Sequence, residues 1–218
     1  MNIEEFKKTI EKELLPFIKL TSPNPYDPIL VENQTKDWLL VGSGNYASVF
    51  AHPLMKDVVV KVYGRDVEAI KDEIRVYHSL GVHKAYSRLY GHGENYLILK
   101  RIHGITLYDA MIKGVPIPPQ VIEDIDQAID YAKQVGLNPC DVHGKNVVMK
   151  DGKGFIVDVS DFYKEEICTK WDDLQKAYHL FYKRFILKKH PRFPVWALNG
   201  VRKTYRATRI FRKQTPEN

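Results

Sequence analysis

The chain has 218 residues, of which 44% are hydrophobic and 28% are charged. This composition excludes a disordered chain, and the absence of any apolar run near about 20 residues excludes a membrane-spanning helix. The net charge of +6 is uneven, because residues 183–218 carry eleven Lys/Arg and one Glu (+10), which leaves −4 on residues 1–182.

The first half of the chain is predicted to contain a helix, a loop and several short strands. Apolar residues recur at helical spacing over residues 3–20, and three prolines make residues 21–28 a loop. Residues 66–80 have a second helical pattern. The predicted strands, which are short apolar runs, occupy residues 38–41, 47–50, 58–63 and 95–102.

From residue 104 onward the pattern becomes mainly helical. A helix is expected from Pro118 to Gly136, because proline suits a helix start and glycine a helix stop. The segment Asp151-Gly-Lys-Gly is a hairpin signal between two short strands. The remaining predicted elements are strands at 147–150 and 155–159 and helices near 170–189 and 194–213. A strand-rich half followed by a helix-rich half indicates an α+β fold with two lobes.

A glycine-containing segment, residues 42–49 (Gly-Ser-Gly-Asn-Tyr-Ala-Ser-Val), lies between two predicted strands. Glycine lets backbone N–H groups approach phosphate oxygens closely. The segment is not a Walker A loop, because no Gly-Lys-Ser/Thr and no helix follow it. Phosphates would instead be covered by a β-hairpin, and a plain hairpin turn is the alternative.

Lys61 and Glu73 are two charged residues at positions where apolar residues are expected. Lys61 lies within a valine-rich strand, where an unpaired ammonium is costly, although an edge strand with a wet face is an alternative. On a helical wheel Glu73 falls inside the apolar arc of residues 66–80, whereas Glu68 points outward. A buried carboxylate needs a cation, and we expect Lys61 to supply it. A salt bridge that serves stability alone is the other interpretation.

Asp141, Asn146 and Asp158 form the third and most specific pattern. Asp141-Val-His-Gly-Lys-Asn146 follows the predicted helix, and Asp158 ends an apolar strand. Such oxygen ligands suit Mg²⁺, which binds few carboxylates together with substrate phosphates. Asp and Asn residues that merely cap loops are the alternative.

The order of these features resembles the protein-kinase-like superfamily over about residues 36–182. The resemblance implies a bilobal fold with an N-terminal helix and Pro-rich loop (1–35), an antiparallel-sheet N-lobe (36–103) and a reduced helical C-lobe with a basic last helix (104–218). It also implies an ATP- and Mg²⁺-dependent kinase.

By the same resemblance, Lys61 would hold the α- and β-phosphates and be tethered by Glu73, and Asp141 would orient the acceptor hydroxyl. Asn146 and Asp158 would bind Mg²⁺. Asp173, or else Asp172, would brace the catalytic loop. The remaining nucleotide contacts would come from the glycine hairpin and from the backbone of the segment joining the lobes: Gly42, Ser43, Gly44, Asn45, Tyr46, Val49, Lys100 and Ile102.

The chain also departs from typical protein kinases. Pro139-Cys140 replaces His-Arg before Asp141, so a phosphorylated activation loop has no arginine to dock on. His143 stands where Ser/Thr kinases usually have lysine, which is similar to aminoglycoside and sugar kinases. Only twelve residues separate Asp158 from Trp171, which resembles RIO-type atypical kinases and small bacterial Ser/Thr-kinase-like proteins.

The leading hypothesis from the sequence is an atypical Ser/Thr protein kinase. A small-molecule kinase acting on a sugar-type hydroxyl is the alternative, and an ATP-gated binding module or pseudokinase is a third. The absence of a signal-peptide pattern and the presence of only two cysteines favour a reduced, cytoplasmic protein. Nucleic acid is a possible partner of a basic stripe on the last helix, for which a solvated face is the alternative. The stripe consists of Arg202, Arg206, Arg209 and Lys213.

Overall fold

The computed structural model describes residues 1–24 and 27–214, with side chains described as far as residue 205. Within this part, ten strands and six α-helices form the predicted α+β fold. In chain order the strands are β1 (Ile18–Thr21), β2 (Leu30–Asn33), β3 (Leu39–Ser43), β4 (Ala47–Ala51), β5 (Val58–Tyr63), β6 (Leu89–His92), β7 (Tyr96–Lys100), β8 (Ile105–Thr106), β9 (Val147–Lys150) and β10 (Lys153–Ile156).

The α-helices are α1 (Ile3–Thr9), α2 (Ala69–Leu80), α3 (Leu107–Lys113), α4 (Pro119–Gln134), α5 (Lys170–Ala177) and α6 (Val195–Gln214). Wider π-helical turns extend α1 over Ile10–Leu14 and α5 over Tyr178–Ile186, and 3₁₀ turns occupy Leu15–Phe17 and Pro53–Met55. Five strands make one antiparallel sheet in the order β3-β4-β5-β7-β6. Two smaller sheets pair β1 with β2 and place β9 between β8 and β10.

Strand β5 lies at the centre of the main sheet and is buried along its whole length. Burial on both faces explains its unbroken run of apolar residues around Lys61. Because side chains alternate along a strand, Val60 and Val62 pack into one hydrophobic cluster, and Val59 and Tyr63 into another. Lys61 shares the face of Val59 and Tyr63, which is covered by α2 and the helical half of the chain.

Helix α1 covers the opposite face of the sheet. The Asn2 side chain accepts a hydrogen bond from the Glu5 N–H, and Glu5 accepts one from the Asn2 N–H, which is a capping box. Phe6, Ile10 and Leu14 are fully buried against the outer face of the sheet. The N-terminal segment therefore shares a hydrophobic core with the sheet.

The helix predicted over residues 3–20 ends at Phe17, because Pro16 has no N–H to continue the helical ladder. Residues 18–21 instead pair with β2, so a hairpin surrounds the predicted proline loop. Pro25 and Tyr26 of that loop lie outside the described residues.

Several other predicted boundaries shift for local reasons. Helix α2 begins at Ala69 and not at residue 66, where Asp66 has a φ of 49°. Strand β10 ends at Ile156 and not at residue 159, and the Val157 N–H then donates to the carbonyl of Asn146, the residue before β9, at 3.0 Å. The hairpin turn before it uses positive φ at Asp151 and Gly152, as Asp-Gly predicts.

Four short elements, β2, β6, β8 and α3, were not predicted from the sequence. The helical half centres on α4, which contacts β10 and buries an apolar stripe. Among residues 1–24 and 27–214, no helix combines the length and apolar character needed to cross a bilayer.

Candidate active site

Three charged side chains from three separate elements meet beneath the main sheet. The Lys61 ammonium lies 2.8 Å and 3.0 Å from the two carboxylate oxygens of Glu73 and 3.0 Å from Oδ1 of Asp158. Glu73 is fully buried on α2, as its place in the apolar arc predicts, and the Tyr63 hydroxyl also donates to it. Strand β5, helix α2 and the segment after β10 are therefore joined by one buried network.

The electrostatics of this network keep Lys61 charged. Burial alone would lower the pKa of Lys61, but the carboxylates of Asp158 and Glu73 outweigh burial and raise it. Burial raises the pKa of Glu73, and Lys61 opposes that rise. Burial would also raise the pKa of Asp158, yet Lys61 and the Ser160 N–H lower it to about 2. Asp158 is therefore ionised, and its carboxylate lies beside the Lys61 ammonium.

A tight loop presents Asp141 and Asn146 beside this network. Asp141 adopts a positive φ of 62°, and its carbonyl accepts a hydrogen bond from the Asn146 amide at 3.1 Å. The Asn146 carbonyl accepts the Val157 N–H, so the loop is tied directly to the residue before Asp158. The structure thus brings Asp141, Asn146 and Asp158 to one place.

The donor atoms that remain suit a hard cation such as Mg²⁺. Asn146 uses its amide nitrogen within the loop, which leaves its side-chain oxygen for a ligand. Lys61 and the Ser160 N–H both bind Oδ1 of Asp158, whose side chain is 35% exposed, and neither takes Oδ2. No three His, Cys, Asp or Glu side chains cluster as a metal site within the described part of the chain. A cation here would need oxygens from a substrate, as Mg²⁺ in phosphotransfer sites does.

The glycine segment forms the predicted β-hairpin of β3 and β4. A Cβ on Gly42 would meet nothing within 4 Å, and one on Gly44 would meet only the Ala47 carbonyl at 3.6 Å, an ordinary contact. Neither glycine has a positive φ. The fold itself does not require glycine at either position, which leaves the close approach of a ligand as a reason for both.

The tip of this hairpin lies above the segment that follows Asp158. The Tyr46 ring contacts the Arg65 guanidinium and the Lys164 ammonium, 5.7 Å and 5.9 Å from its centroid. A cavity of about 220 Å³ opens between them, with Asp161 and Tyr163 in its wall. Asn45 is half-buried at the same tip, and Val49 pairs with Lys61 across the sheet. Ser43 is held in the hairpin by its hydroxyl bond to the Ile29 carbonyl.

The segment after β7 carries the two residues predicted to contact adenine. The Lys100 N–H donates to the Arg88 carbonyl, and the Lys100 carbonyl accepts from the Ser87 hydroxyl, each at 2.8 Å. The Ile102 N–H donates to none of the residues in the described ranges. Ile102 therefore offers a free donor, and the Lys100 carbonyl offers only its second lone pair.

The expected brace of the loop by Asp173 is not the arrangement observed. Asp173 accepts hydrogen bonds from Thr169 and Tyr205, and Asp172 is exposed. The Asp141 N–H instead donates to the Cys168 sulfur at 3.2 Å. The loop is thus braced by the segment that precedes Trp171.

Sequence reasoning also missed Lys170, whose ammonium contacts Oδ1 of Asp141. His143 lies on the other oxygen of Asp141, with Nε2 3.7 Å away. Burial lowers the pKa of His143, and Lys170 adds to that effect while Asp141 opposes it. The sequence did contain a signal for Lys170. Because few residues separate Asp158 from Trp171, the chain must come back close to the loop of Asp141 by the time it reaches Lys170.

One protein of Bacillus subtilis (strain 168) is 32% identical to the chain over 167 residues, which are 75% of this chain and 78% of that protein. It is named "Putative serine/threonine-protein kinase YrzF". No family model matches the chain. The similarity spans most of both proteins, and the name of the relative agrees with the family that the order of motifs indicates. The chain belongs to the protein-kinase-like superfamily.

Proposed function

We propose that this protein is an ATP- and Mg²⁺-dependent phosphotransferase that acts on a hydroxyl group. The convergence of Lys61, Glu73 and Asp158 beside the loop of Asp141 and Asn146 is the observation that carries the proposal. In this proposal residues 36–103 form an N-lobe and residues 104–218 a C-lobe, with the nucleotide between them.

The chain's own groups divide the work of binding the nucleotide. The β3–β4 hairpin (residues 42–49) would cover the phosphates with its backbone, and Lys61 would neutralise them. Ile102 would donate its free N–H to adenine. Asn146 and Asp158 would hold Mg²⁺, which when bound supplies positive charge to the phosphate oxygens.

Asp141 would act on the acceptor. Its carboxylate would orient the hydroxyl and take its proton, while the acceptor oxygen bonds to the γ-phosphorus and the bond from that phosphorus to the bridging oxygen breaks. The products are a phosphate ester and ADP, so atoms and charge balance. Positioning and charge neutralisation account for most of such catalysis, and this site contains groups for both.

A protein serine or threonine is the acceptor that we favour, because the Bacillus subtilis relative is named a putative serine/threonine-protein kinase. A small-molecule hydroxyl is the second candidate. His143 beside Asp141 favours it, since the loop there is similar to that of sugar and aminoglycoside kinases.

The test is purified protein with ATP radiolabelled at the γ-phosphate, with Mg²⁺ or with EDTA. Self-labelling, or labelling of the protein fraction of a lysate, is expected in Mg²⁺ only. Label confined to the small-molecule fraction would favour the second candidate. Retained ATP binding with no transfer and no hydrolysis would contradict the proposal and indicate a binding module.

A further inference from the structure

Lys170 lies at the start of α5, and its ammonium contacts the carboxylate of Asp141. We propose that Lys170 is a further catalytic residue, which supplies the positive charge on the acceptor side of the site. This inference rests on the proposed phosphotransferase function. It concerns a residue 29 positions after Asp141, on a different element.

Lys170 is held beside Asp141 by the elements around it. The Trp171 indole N–H and the Gln175 amide both donate to Asp126 on α4, each at 2.6 Å. On the other side of Lys170, the Cys168 sulfur accepts the Asp141 N–H. One short segment thus contacts Asp141 at both its backbone and its side chain. The Lys170 side chain is still 34% exposed, so it can reach a bound substrate.

Other described cations near the site have partners of their own, as Lys164 does in Asp161 at 2.8 Å. Lys61 is engaged by Glu73 and Asp158 on the nucleotide side. Lys145, in the same loop as Asp141, lies over the Tyr108 ring, 4.6 Å from its centroid. His143 faces Asp141, but burial lowers its pKa, which disfavours the charged form. Within residues 1–24 and 27–205, Lys170 is the lysine whose ammonium pairs with Asp141.

The positive charge of Lys170 would have a role in phosphoryl transfer. Negative charge on the transferred group must be neutralised on the acceptor side as well as on the nucleotide side. When an acceptor hydroxyl occupies Asp141, the Lys170 ammonium can turn from the carboxylate to the phosphoryl oxygens. It would then stabilise the transition state more than the ground state, so its loss should lower kcat and leave the KM for ATP nearly unchanged.

The kinetic test compares Lys170→Gln, Lys170→Arg and a control, Lys176→Gln, which removes an exposed lysine from the same helix. We expect Lys170→Gln to lower kcat by about 10- to 100-fold, the worth of a hydrogen bond to a charged group, with the KM for ATP within about twofold. Lys170→Arg should recover most of the activity, and Lys176→Gln should match the wild type. A kcat for Lys170→Gln within about twofold of the control would overturn the inference.

A chemical test locates Lys170 without relying on turnover. An ATP analogue with an acyl group on its terminal phosphate acylates amines that lie against that phosphate, and mass spectrometry identifies the lysines modified. We expect Lys61 and Lys170 to be modified, with protection by excess ATP, and Lys176 to be unmodified. Modification of Lys61 alone would overturn this inference and leave the proposed function intact. Modification of neither lysine would overturn the nucleotide site itself, and the inference with it.

Discussion

Replacing Glu73 with glutamine removes one of the two carboxylates that hold the buried Lys61 ammonium. Glu73 is fully buried and lies 2.8 Å from Lys61 Nζ. Removing one partner of a buried ion pair costs about 3–5 kcal/mol, because a charge is left without compensation. Because Asp158 still lies 3.0 Å from Lys61, we expect the free energy of unfolding to fall by about 3 kcal/mol, the low end of this range. At about 2–4 °C per kcal/mol for a chain of this size, the melting temperature should fall by about 6–12 °C.

Urea unfolding followed by circular dichroism measures this loss. The matched control is Glu68→Gln, since Glu68 precedes the same helix and pairs with Lys71 on the surface, where its side chain is 80% exposed. Glu68→Gln should change the free energy of unfolding by no more than about 0.5 kcal/mol.

The double variant Lys61→Met/Glu73→Gln carries no unpaired ammonium. Its loss in the free energy of unfolding should therefore be smaller, by at least about 1 kcal/mol, than the sum of the losses in the two single variants. Strict additivity, or a loss below about 1 kcal/mol for Glu73→Gln, would refute the account of the buried network.

Further predictions concern the cation, the loop histidine and the basic helix. ATP should raise the melting temperature strongly only with Mg²⁺, and Asp158→Asn should remove most of that difference; equal stabilisation in EDTA would contradict the metal assignment. Burial lowers the pKa of His143 below 6.5, so the unfolded chain binds the proton first and stability should fall below about pH 6.5. His143→Gln should flatten the pH dependence of the urea midpoint between about pH 7.5 and 5.5, and an unchanged slope would contradict this. Binding of RNA or DNA by the basic stripe should weaken steeply between about 50 and 200 mM salt and be lost when the four residues become glutamine. Equal binding by the wild type and this variant at low salt would exclude the stripe as a nucleic-acid site. The stripe is Arg202, Arg206, Arg209 and Lys213, of which only the Arg202 side chain lies among the described residues.

The sequence was sufficient to predict the α+β class and the pairing of Lys61 with a buried Glu73. The valine run of residues 58–63 predicted a strand, although it left open an edge strand with a wet face, and a carboxylate among apolar residues on α2 predicted a buried Glu73. Both inferences follow from local periodicity, which one chain reveals without a comparison. The same periodicity missed β6, an edge strand whose register shifts between Leu89 and Gly91.

Contacts between distant segments were beyond the reach of that reasoning. Lys170 meets Asp141 where Trp171 anchors α5 to Asp126 on α4. The short stretch from Asp158 to Trp171 indicated that this segment returns to the loop, but no pattern in the sequence marks Asp126. Tyr63 lies on the same face of β5 as Lys61, but its bond to Glu73 depends on how α2 packs against β5. Asp173 was expected to brace the catalytic loop, but it accepts a hydrogen bond from the Tyr205 hydroxyl of α6 instead, which is also a contact between distant segments.

In the proposed function, Asp141 promotes transfer of the γ-phosphate of ATP. Its most direct test compares single-turnover transfer from radiolabelled ATP in Mg²⁺ by the wild type and by Asp141→Asn, with ATP-induced stabilisation as the measure of binding. We expect the transfer rate of Asp141→Asn to be lower by about 10²- to 10⁴-fold, the usual contribution of a positioned acid or base, with ATP binding unchanged. Equal rates in the two proteins, or no transfer by a wild type that binds ATP, would contradict it.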